Sequence, residues 1–329
     1  MGYRGAAKSS CHTLRVILEL HYSRNERGVA LSVDARPQPF LRWAGGKRKL
    51  AGYIANSFPM TLDYGSAHYF EPFLGGGALA FFIGQKSSPY YIPGSRIHLS
   101  DTNPDLISAY QVIRDEPLEL MKSLTRLAKN TDRDSFEKVR ASRPSTRLEI
   151  AARFIYLNKT CFNGLWRVNS KGEFNVPWGK LQNPTIFDES ILLANSIRLR
   201  GAKIAKRDFL SQLDSAQKGD LVYLDPPYLP ISSSSSFSKY SKLDFDITNH
   251  EQLAACINSM TERGVFVILS NSDTSDTRRI FGDSMNLYQI SVGRSISAKS
   301  ESRKRVNEVI ATNYEVDSIS DVGLLKKIN

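Results

Sequence analysis

Leu221-Val222-Tyr223-Leu224-Asp225-Pro226-Pro227-Tyr228 is the stretch on which the reading of this chain turns. The first four residues are an apolar run of strand length, and Asp225 marks its carboxyl end. An acid, two prolines and an aromatic at a strand's end make a small polar box. The prolines fix φ and carry no N–H, so the loop presents acceptors rather than donors. Such a box suits a flat ring bearing an exocyclic amine. Asp225 and a backbone carbonyl accept the amine hydrogens, and Tyr228 stacks on the ring. The residues point to methyl transfer onto a nucleobase amine. A plain strand-ending turn uses the same residue types, so the tetrapeptide must be read with its surroundings.

Upstream, Tyr69-Phe70-Glu71-Pro72-Phe73 reads as a strand running into Leu74-Gly75-Gly76-Gly77 and an apolar helix, Ala78 to Ile83. Glycines let a backbone approach a ligand closely. The spacing is not G-x-G-x-x-G, which disfavours a nicotinamide enzyme. A second strand, Arg96 to Ser100, ends at Asp101, and a third, Lys203 to Lys206, runs toward Asp208-Phe209. In an open α/β sheet, ligands bind outside the strands' carboxyl ends, where an acid can accept ribose hydroxyls. Asp208 and Phe209 suit the bracketing of an adenine ring. Glu71 with its glycines, Asp101, Asp208 and Asp225 thus describe one cofactor crevice with a reactive edge.

Further strands are expected at Val265 to Leu269, Asn286 to Val292 and Glu308 to Thr312, and helices at Asp105 to Ile113 and His250 to Arg263. Strands alternating with helices argue for a doubly wound α/β sheet. Residues 116 to about 162 read as entirely helical, and 163–180, rich in Asn, Gly and aromatics, as an irregular hairpin. This block interrupts the alternation. It divides the chain into an extension (1–39), a catalytic domain (40–115 and 196–329) and an inserted lobe (116–195). The serine run Ser232 to Ser236 reads as a loop over the site.

Composition narrows the class. The 329 residues carry 44 Lys and Arg against 33 Asp and Glu, a net charge of +11. That excess favours a polyanionic partner. The three cysteines, Cys11, Cys161 and Cys256, show no C-x-x-C spacing, so neither a disulfide framework nor a zinc site is indicated. No apolar stretch approaches the roughly 18–20 residues that span a bilayer, and Leu14 to Leu20 contains Arg15 and Glu19. A cytoplasmic location, a monomer and no metal are the expectations.

Taken in order, the chain resembles the Dam-type DNA adenine-N6 methyltransferases of the D12 class, in their α arrangement. The matching segments are Phe40 to Lys47 (FLRWAGGK), Glu71 to Gly77 (EPFLGGG), Asp101 to Ile107 (DTNPDLI) and Asn158 to Gly179 (NKTCFNGLWRVNSKGEFNVPWG). Asp225 to Tyr228 (DPPY), Ser270 to Asp273 (SNSD) and Arg294 to Ser297 (RSIS) follow. The resemblance implies a Rossmann-like, S-adenosylmethionine-dependent α/β sheet with an inserted, mainly helical DNA-recognition lobe carrying a hairpin. By the same resemblance Trp43, Ala44, Gly45 and Lys47 contact the cofactor's methionine part, and Glu71, Phe73 and Gly75 form the cofactor loop. Asp101 takes the ribose, Asp208 and Phe209 flank the adenine, and Asp225, Pro226, Pro227 and Tyr228 hold the target base.

The implied reaction is methylation of adenine N6 in double-stranded DNA, leaving S-adenosylhomocysteine. The N6 lone pair is delocalised and nucleophilically poor. Hydrogen bonds to Asp225 and the Pro226 carbonyl would favour a more tetrahedral nitrogen and orient it toward the methyl donor. The base must leave the duplex to reach such a box, at a cost of about a few kcal/mol. Phe162 would insert where the base leaves, and Asn163, Leu165, Arg167 and Pro177 match positions that read base edges in GATC enzymes. Arg167 suits a bidentate contact with guanine, or else a phosphate. Arg294, Lys299, Arg303, Lys304 and Arg305 suit the DNA backbone, or else form a solvated loop. Trp166 and Trp178 are expected to pack. GATC is the expected site and GATATC the alternative. Glutamine and cytosine-N4 methyltransferases use related boxes, but Asp225 and the 162–180 segment argue against both. A DNA-binding protein that has lost transfer, and a cognate restriction endonuclease as partner, stay open.

Overall fold

The protein is described by a computed structural model over residues 35–85, 88–229, 245–292, 306–316 and 325–329. Among these residues eight strands form one sheet. They are β1 Tyr69–Glu71, β2 Ile97–Asp101, β3 Lys203–Lys206, β4 Leu221–Leu224, β5 Phe266–Ser272, β6 Asn286–Val292, β7 Val306–Thr312 and β8 Leu325–Lys327. Their spatial order is β3-β2-β1-β4-β5-β7-β6-β8. The first five run parallel, while β7 lies antiparallel between β5 and β6, and β8 pairs antiparallel with β6.

This order places the site. From β1 the chain adds β2 and then β3 outward on one side, and then returns to lay β4 on the other side of β1. The direction of winding reverses between β1 and β4. Loops leaving neighbouring strands at such a reversal part to opposite faces and open a crevice at the carboxyl edge. The loop after β1 is the glycine loop, and the loop after β4 is Asp225 to Tyr228.

The central strands β1 and β4 are buried along their whole length because both sheet faces are covered there. Alternate residues serve alternate faces. Tyr69, Leu221, Tyr223 and Ile268 join one core with Leu79, Phe81, Leu106 and Tyr110. Those four come from helices α2 (Ala78–Phe82) and α3 (Pro104–Asp115). Phe70, Val222, Leu224, Val267 and Leu269 face a second core with Phe209, Leu253, Ile257, Met260 and Phe281.

The stretch expected to be continuously helical is three helices: α4 (Pro117–Ala128), α5 (Arg133–Ala141) and α6 (Arg147–Thr160). Capping chemistry sets the breaks. Asp132 accepts from the Ser135 N–H at 2.9 Å and starts α5. Thr146 and Glu149 form a reciprocal capping box that starts α6. The expected lobe boundary at 195/196 falls inside one helix, α7 (Glu189–Leu199). From that helix Asn195 grips Gln38, accepting from its N–H at 3.0 Å and donating to its carbonyl at 2.9 Å. Residues Pro37–Asn329 make one compact unit. Strand β8 and three short or unexpected helices, α7 itself, α8 (Phe209–Leu213) and α10 (Ser275–Phe281), complete the picture with α1 (Ala51–Asn56) and α9 (Ile247–Glu262).

Candidate active site

The box at the end of β4 is held by its neighbour strand. Ser270 on β5 donates its hydroxyl to Asp225 Oδ1 at 2.7 Å. The Tyr223 hydroxyl lies 2.9 Å from the same Ser270 Oγ. A serine has one hydroxyl hydrogen, so Tyr223 is the donor to Ser270. The result is a buried relay, Tyr223 to Ser270 to Asp225, that fixes the carboxylate. Backbone on the far side of the box is also tied. The Leu229 N–H donates to Asn271 Oδ1 at 3.3 Å, and Ser272 Oγ donates to the Leu229 carbonyl at 2.7 Å.

Lys47 enters this box from the N-terminal segment. Its side chain is only 5% exposed, with Nζ 3.0 Å from Asp225 Oδ1. The ammonium also donates to the Gly45 carbonyl at 2.6 Å and lies 4.5 Å from the centre of the Tyr228 ring. A carboxylate, a backbone carbonyl and an aromatic face are the three contacts that the sequence assigns to an exocyclic amine. Here Asp225 and Tyr228 meet the protein's own ammonium, with the Gly45 carbonyl rather than that of Pro226, and the aromatic contact is a cation–π pair. Tyr228 donates its hydroxyl to Glu308 Oε2 at 2.9 Å. Burial, and then the charge of Asp225, hold Tyr228 well above the ordinary tyrosine range, so it stays a phenol.

The glycine loop is built around Trp43. Gly75 has φ +45°, and a Cβ there would lie 2.6 Å from Trp43 Nε1. Only glycine fits. Asp101, at the end of β2, accepts from the Gly75 N–H at 3.1 Å and from the Asn103 N–H at 2.9 Å. Tyr110 donates to the Gly75 carbonyl at 3.1 Å. Burial raises the Asp101 carboxyl above its ordinary value. Glu71 is sealed beneath the loop, 2% exposed, and accepts from Tyr69 at 2.7 Å. Desolvation chiefly, aided by the charge of Asp225, pushes it up to about 8.

Phe73 and Phe209 meet as a stacked pair, ring centres 5.5 Å apart, with Phe245 edge-on to Phe73. Asp208 beside them accepts from the Ser211 N–H at 3.0 Å and caps α8, while its side chain stays exposed. The structure therefore joins Trp43, Gly75 and Asp101 in one group and Phe73 with Phe209 in another. Lys47, Asp225 and Tyr228 form a third, adjacent to the exposed backbone of Ala44 and Gly45.

The 162–180 segment is the irregular hairpin its composition suggests, with single bridges Cys161 to Trp178 and Val168 to Phe174. The Phe162 N–H donates to the Pro177 carbonyl at 2.9 Å. Trp166 packs between Phe154 and Phe174, and Trp178 donates to the Thr131 carbonyl. With the tryptophans turned inward, Phe162 (50%), Leu165 (40%) and Val168 (46%) are left exposed. Asn163 takes a left-handed φ of 54°. Arg167 is exposed, one edge tied to Asn175 Oδ1 at 2.7 Å. Asn158 clamps the Arg42 backbone at both N–H and carbonyl, at 2.9 and 2.7 Å, and so ties the hairpin's root to the FLRWAGGK segment. Arg294, Lys299, Arg303, Lys304, Arg305 and the run Ser232 to Ser236 lie outside the described residues.

A family model for D12 class N6 adenine-specific DNA methyltransferases matches residues 43–296. The chain belongs to this family. The D12 span takes in the Trp43 segment, the glycine loop, the hairpin and the Asp225 box. The chain is 35% identical over 285 residues to "Type II methyltransferase M1.LlaDCHI" of Lactococcus lactis subsp. cremoris, covering 84% of this chain and 95% of that protein. It is 35% identical over 291 residues to "Type II methyltransferase M.MjaIII" of Methanocaldococcus jannaschii, covering 84% and 99%. A "DNA adenine methylase" of Haemophilus influenzae is 33% identical over 288 residues, covering 86% and 96%. Among the described residues, no helix is long and apolar enough to cross a membrane, and no His/Cys/Asp/Glu group is arranged to hold a metal.

Within this D12 site, several residues carry geometry that the sequence reading passed over. Ser270 and Tyr223 orient Asp225, and Tyr110 pins the glycine loop. Asn158 roots the hairpin, and Glu308 meets Tyr228. A signal for one was present: Ser270-Asn271-Ser272 is polar although it ends a buried strand.

Proposed function

We propose that the protein methylates N6 of an adenine swung out of duplex DNA at GATC, with S-adenosylmethionine as donor. The observation that carries this reading is Lys47 in the Asp225 box. A nitrogen bearing hydrogens already sits against a carboxylate and a carbonyl, over an aromatic face. An adenine amine asks for the same carboxylate and aromatic face, with the Pro226 carbonyl in the place of that of Gly45. Lys47 withdraws from Asp225 as the base enters. Asp225 Oδ1 is held by Ser270, so the carboxylate does not have to reorganise to accept an amine hydrogen.

The crevice residues fit an adenosyl methyl donor on structural grounds. Gly75 lets the loop pack directly against Trp43, Asp101 stands at the carboxyl end of β2, and Phe73 with Phe209 offers an apolar shelf. Trp43, Ala44, Gly45, Lys47, Glu71, Phe73, Gly75, Asp101, Asp208 and Phe209 are the residues assigned to hold it. When bound, S-adenosylmethionine supplies an electrophilic methyl group on a sulfonium. The chain's own task is to orient, to desolvate and to hold the amine.

The lobe of α4 to α6 and the hairpin is assigned to DNA recognition. Phe162 fills the gap left by the displaced base, and Asn163, Leu165, Arg167 and Pro177 meet base edges. The names of the relatives, a DNA adenine methylase and type II methyltransferases, support a DNA substrate. The test uses methyl-labelled S-adenosylmethionine and duplexes carrying GATC, GATATC or neither. Label in GATC alone is expected. Label in GATATC alone would move the target, and no label in any duplex would overturn the reading.

A further inference from the structure

Resting on the assignment of Tyr228 to the target base, we infer that Glu308 is a positioning residue that fixes where the Tyr228 ring lies. Strands β1 to β5 present their carboxyl ends at the crevice. Strand β7 runs antiparallel to β5, so it is its beginning, not its end, that lies at this edge. Glu308 stands near that beginning, ahead of the buried run Val309, Ile310 and Ala311. A glutamate at the mouth of an apolar strand would ordinarily point its carboxylate to water. Here Oε2 accepts the Tyr228 hydroxyl at 2.9 Å, across 80 positions of sequence.

Register sharpens the point. Glu308 is the direct cross-strand partner of Ser272. Ser272 donates to the carbonyl of Leu229, the residue after Tyr228, at 2.7 Å. The two partners thus hold Tyr228 at both ends, Ser272 by the adjoining backbone and Glu308 by the phenol oxygen. With Cβ and the phenol oxygen both held, the ring axis keeps one direction and the ring one position in the box. A ring fixed only through its backbone turns about its side-chain torsions, and a stacked base loses a defined height above Asp225. Glu308 lies beyond the 43–296 span that the D12 family model covers, and the sequence reading gave it no role. Placement errors near one ångström cost a reaction of this kind roughly 100-fold.

The test compares Glu308→Ala, Glu308→Gln, Tyr228→Phe and the double variant Tyr228→Phe/Glu308→Ala in the full chain. A hydrogen bond to a charged acceptor sets the expected scale. Glu308→Ala should lower kcat by roughly 10- to 100-fold with an unchanged KM for S-adenosylmethionine. Glu308→Gln keeps an acceptor oxygen and should recover most of kcat. Tyr228→Phe keeps the ring, loses the same bond and should fall about as far. The double variant should be no worse than the poorer single. A Glu308→Ala enzyme within about twofold of wild type would overturn the inference, as would losses that multiply in the double variant. Should Glu308→Ala fail to fold, Tyr228→Phe carries the test alone, and wild-type kcat there overturns it. An inactive wild-type protein, by contrast, would refute the function proposed above and not this assignment.

Discussion

Replacing Ser270 by alanine separates orientation of Asp225 from its mere presence. The substitution removes the 2.7 Å hydrogen bond to Asp225 Oδ1 and leaves the Tyr223 hydroxyl, 1% exposed, without its acceptor. The two losses act on different observables. A hydrogen bond to a charged group contributes about 1.5–3 kcal/mol, which is about 10- to 100-fold in rate if it acts through the transition state. Lys47 still holds the same oxygen, so the expected fall in kcat lies near the lower end, about tenfold. The orphaned Tyr223 hydroxyl costs about 1–3 kcal/mol of stability.

Single-turnover methyl transfer and urea unfolding read the two terms separately. Tyr223→Phe/Ser270→Ala removes both polar partners. It should regain most of the lost stability, because no buried hydroxyl is left unpaired, but none of the lost rate. A Ser270→Ala enzyme with wild-type single-turnover rate and normal unfolding would refute the claim that the relay orients Asp225. Recovery of rate in the double variant would refute it equally.

Three further expectations come from the same geometry. Lys47→Met strips the cation from a partly buried carboxylate and should cost about 1–3 kcal/mol in denaturant unfolding. Lys47→Met/Asp225→Asn should recover most of that, and a single variant as stable as wild type would contradict the pairing. Arg167→Ala should relax discrimination at one base pair of the site by about 1–3 kcal/mol. An equal loss on every sequence, with a shallower salt dependence, would instead assign Arg167 to phosphate. Glu71 is raised from 4.5 unfolded to about 8 folded, so the folded state keeps a proton that the unfolded chain releases. Stability therefore falls as pH rises through that window. Glu71→Gln removes the dependence, and its unfolding free energy should exceed that of wild type by an amount that grows across the window, reaching on the order of a few kcal/mol. A difference constant with pH would show that Glu71 is ionised in the fold.

The sequence carried the parallel half of the sheet well, because buried strands and their terminal acids leave local marks. Leu221 to Leu224 followed by Asp225 is legible from its own residues, and in the antiparallel part so is Asn286 to Val292. What was not legible depends on through-space partners. Whether Lys47 belongs with the cofactor loop or with Asp225 is decided by a fold-back of the N-terminal segment, clamped by Asn158. Glu308 gains meaning only once β7 is known to run antiparallel between β5 and β6. In the helical block apolar periodicity carries across the short breaks and outweighs the capping signals at Asp132 and Thr146. Trp166 and Trp178 pack inward while Phe162 and Leu165 stay out, which no composition argument ranks.

The central claim is that the Asp225 box delivers a methyl group to adenine N6. It is tested most directly by digesting GATC duplex, incubated with S-adenosylmethionine and either wild type or Asp225→Ala, to nucleosides and weighing them by mass spectrometry. The account predicts N6-methyladenine with wild type and almost none with Asp225→Ala, although that variant still binds the cofactor. Methyl groups on another base, or undiminished N6-methyladenine with Asp225→Ala, would contradict it.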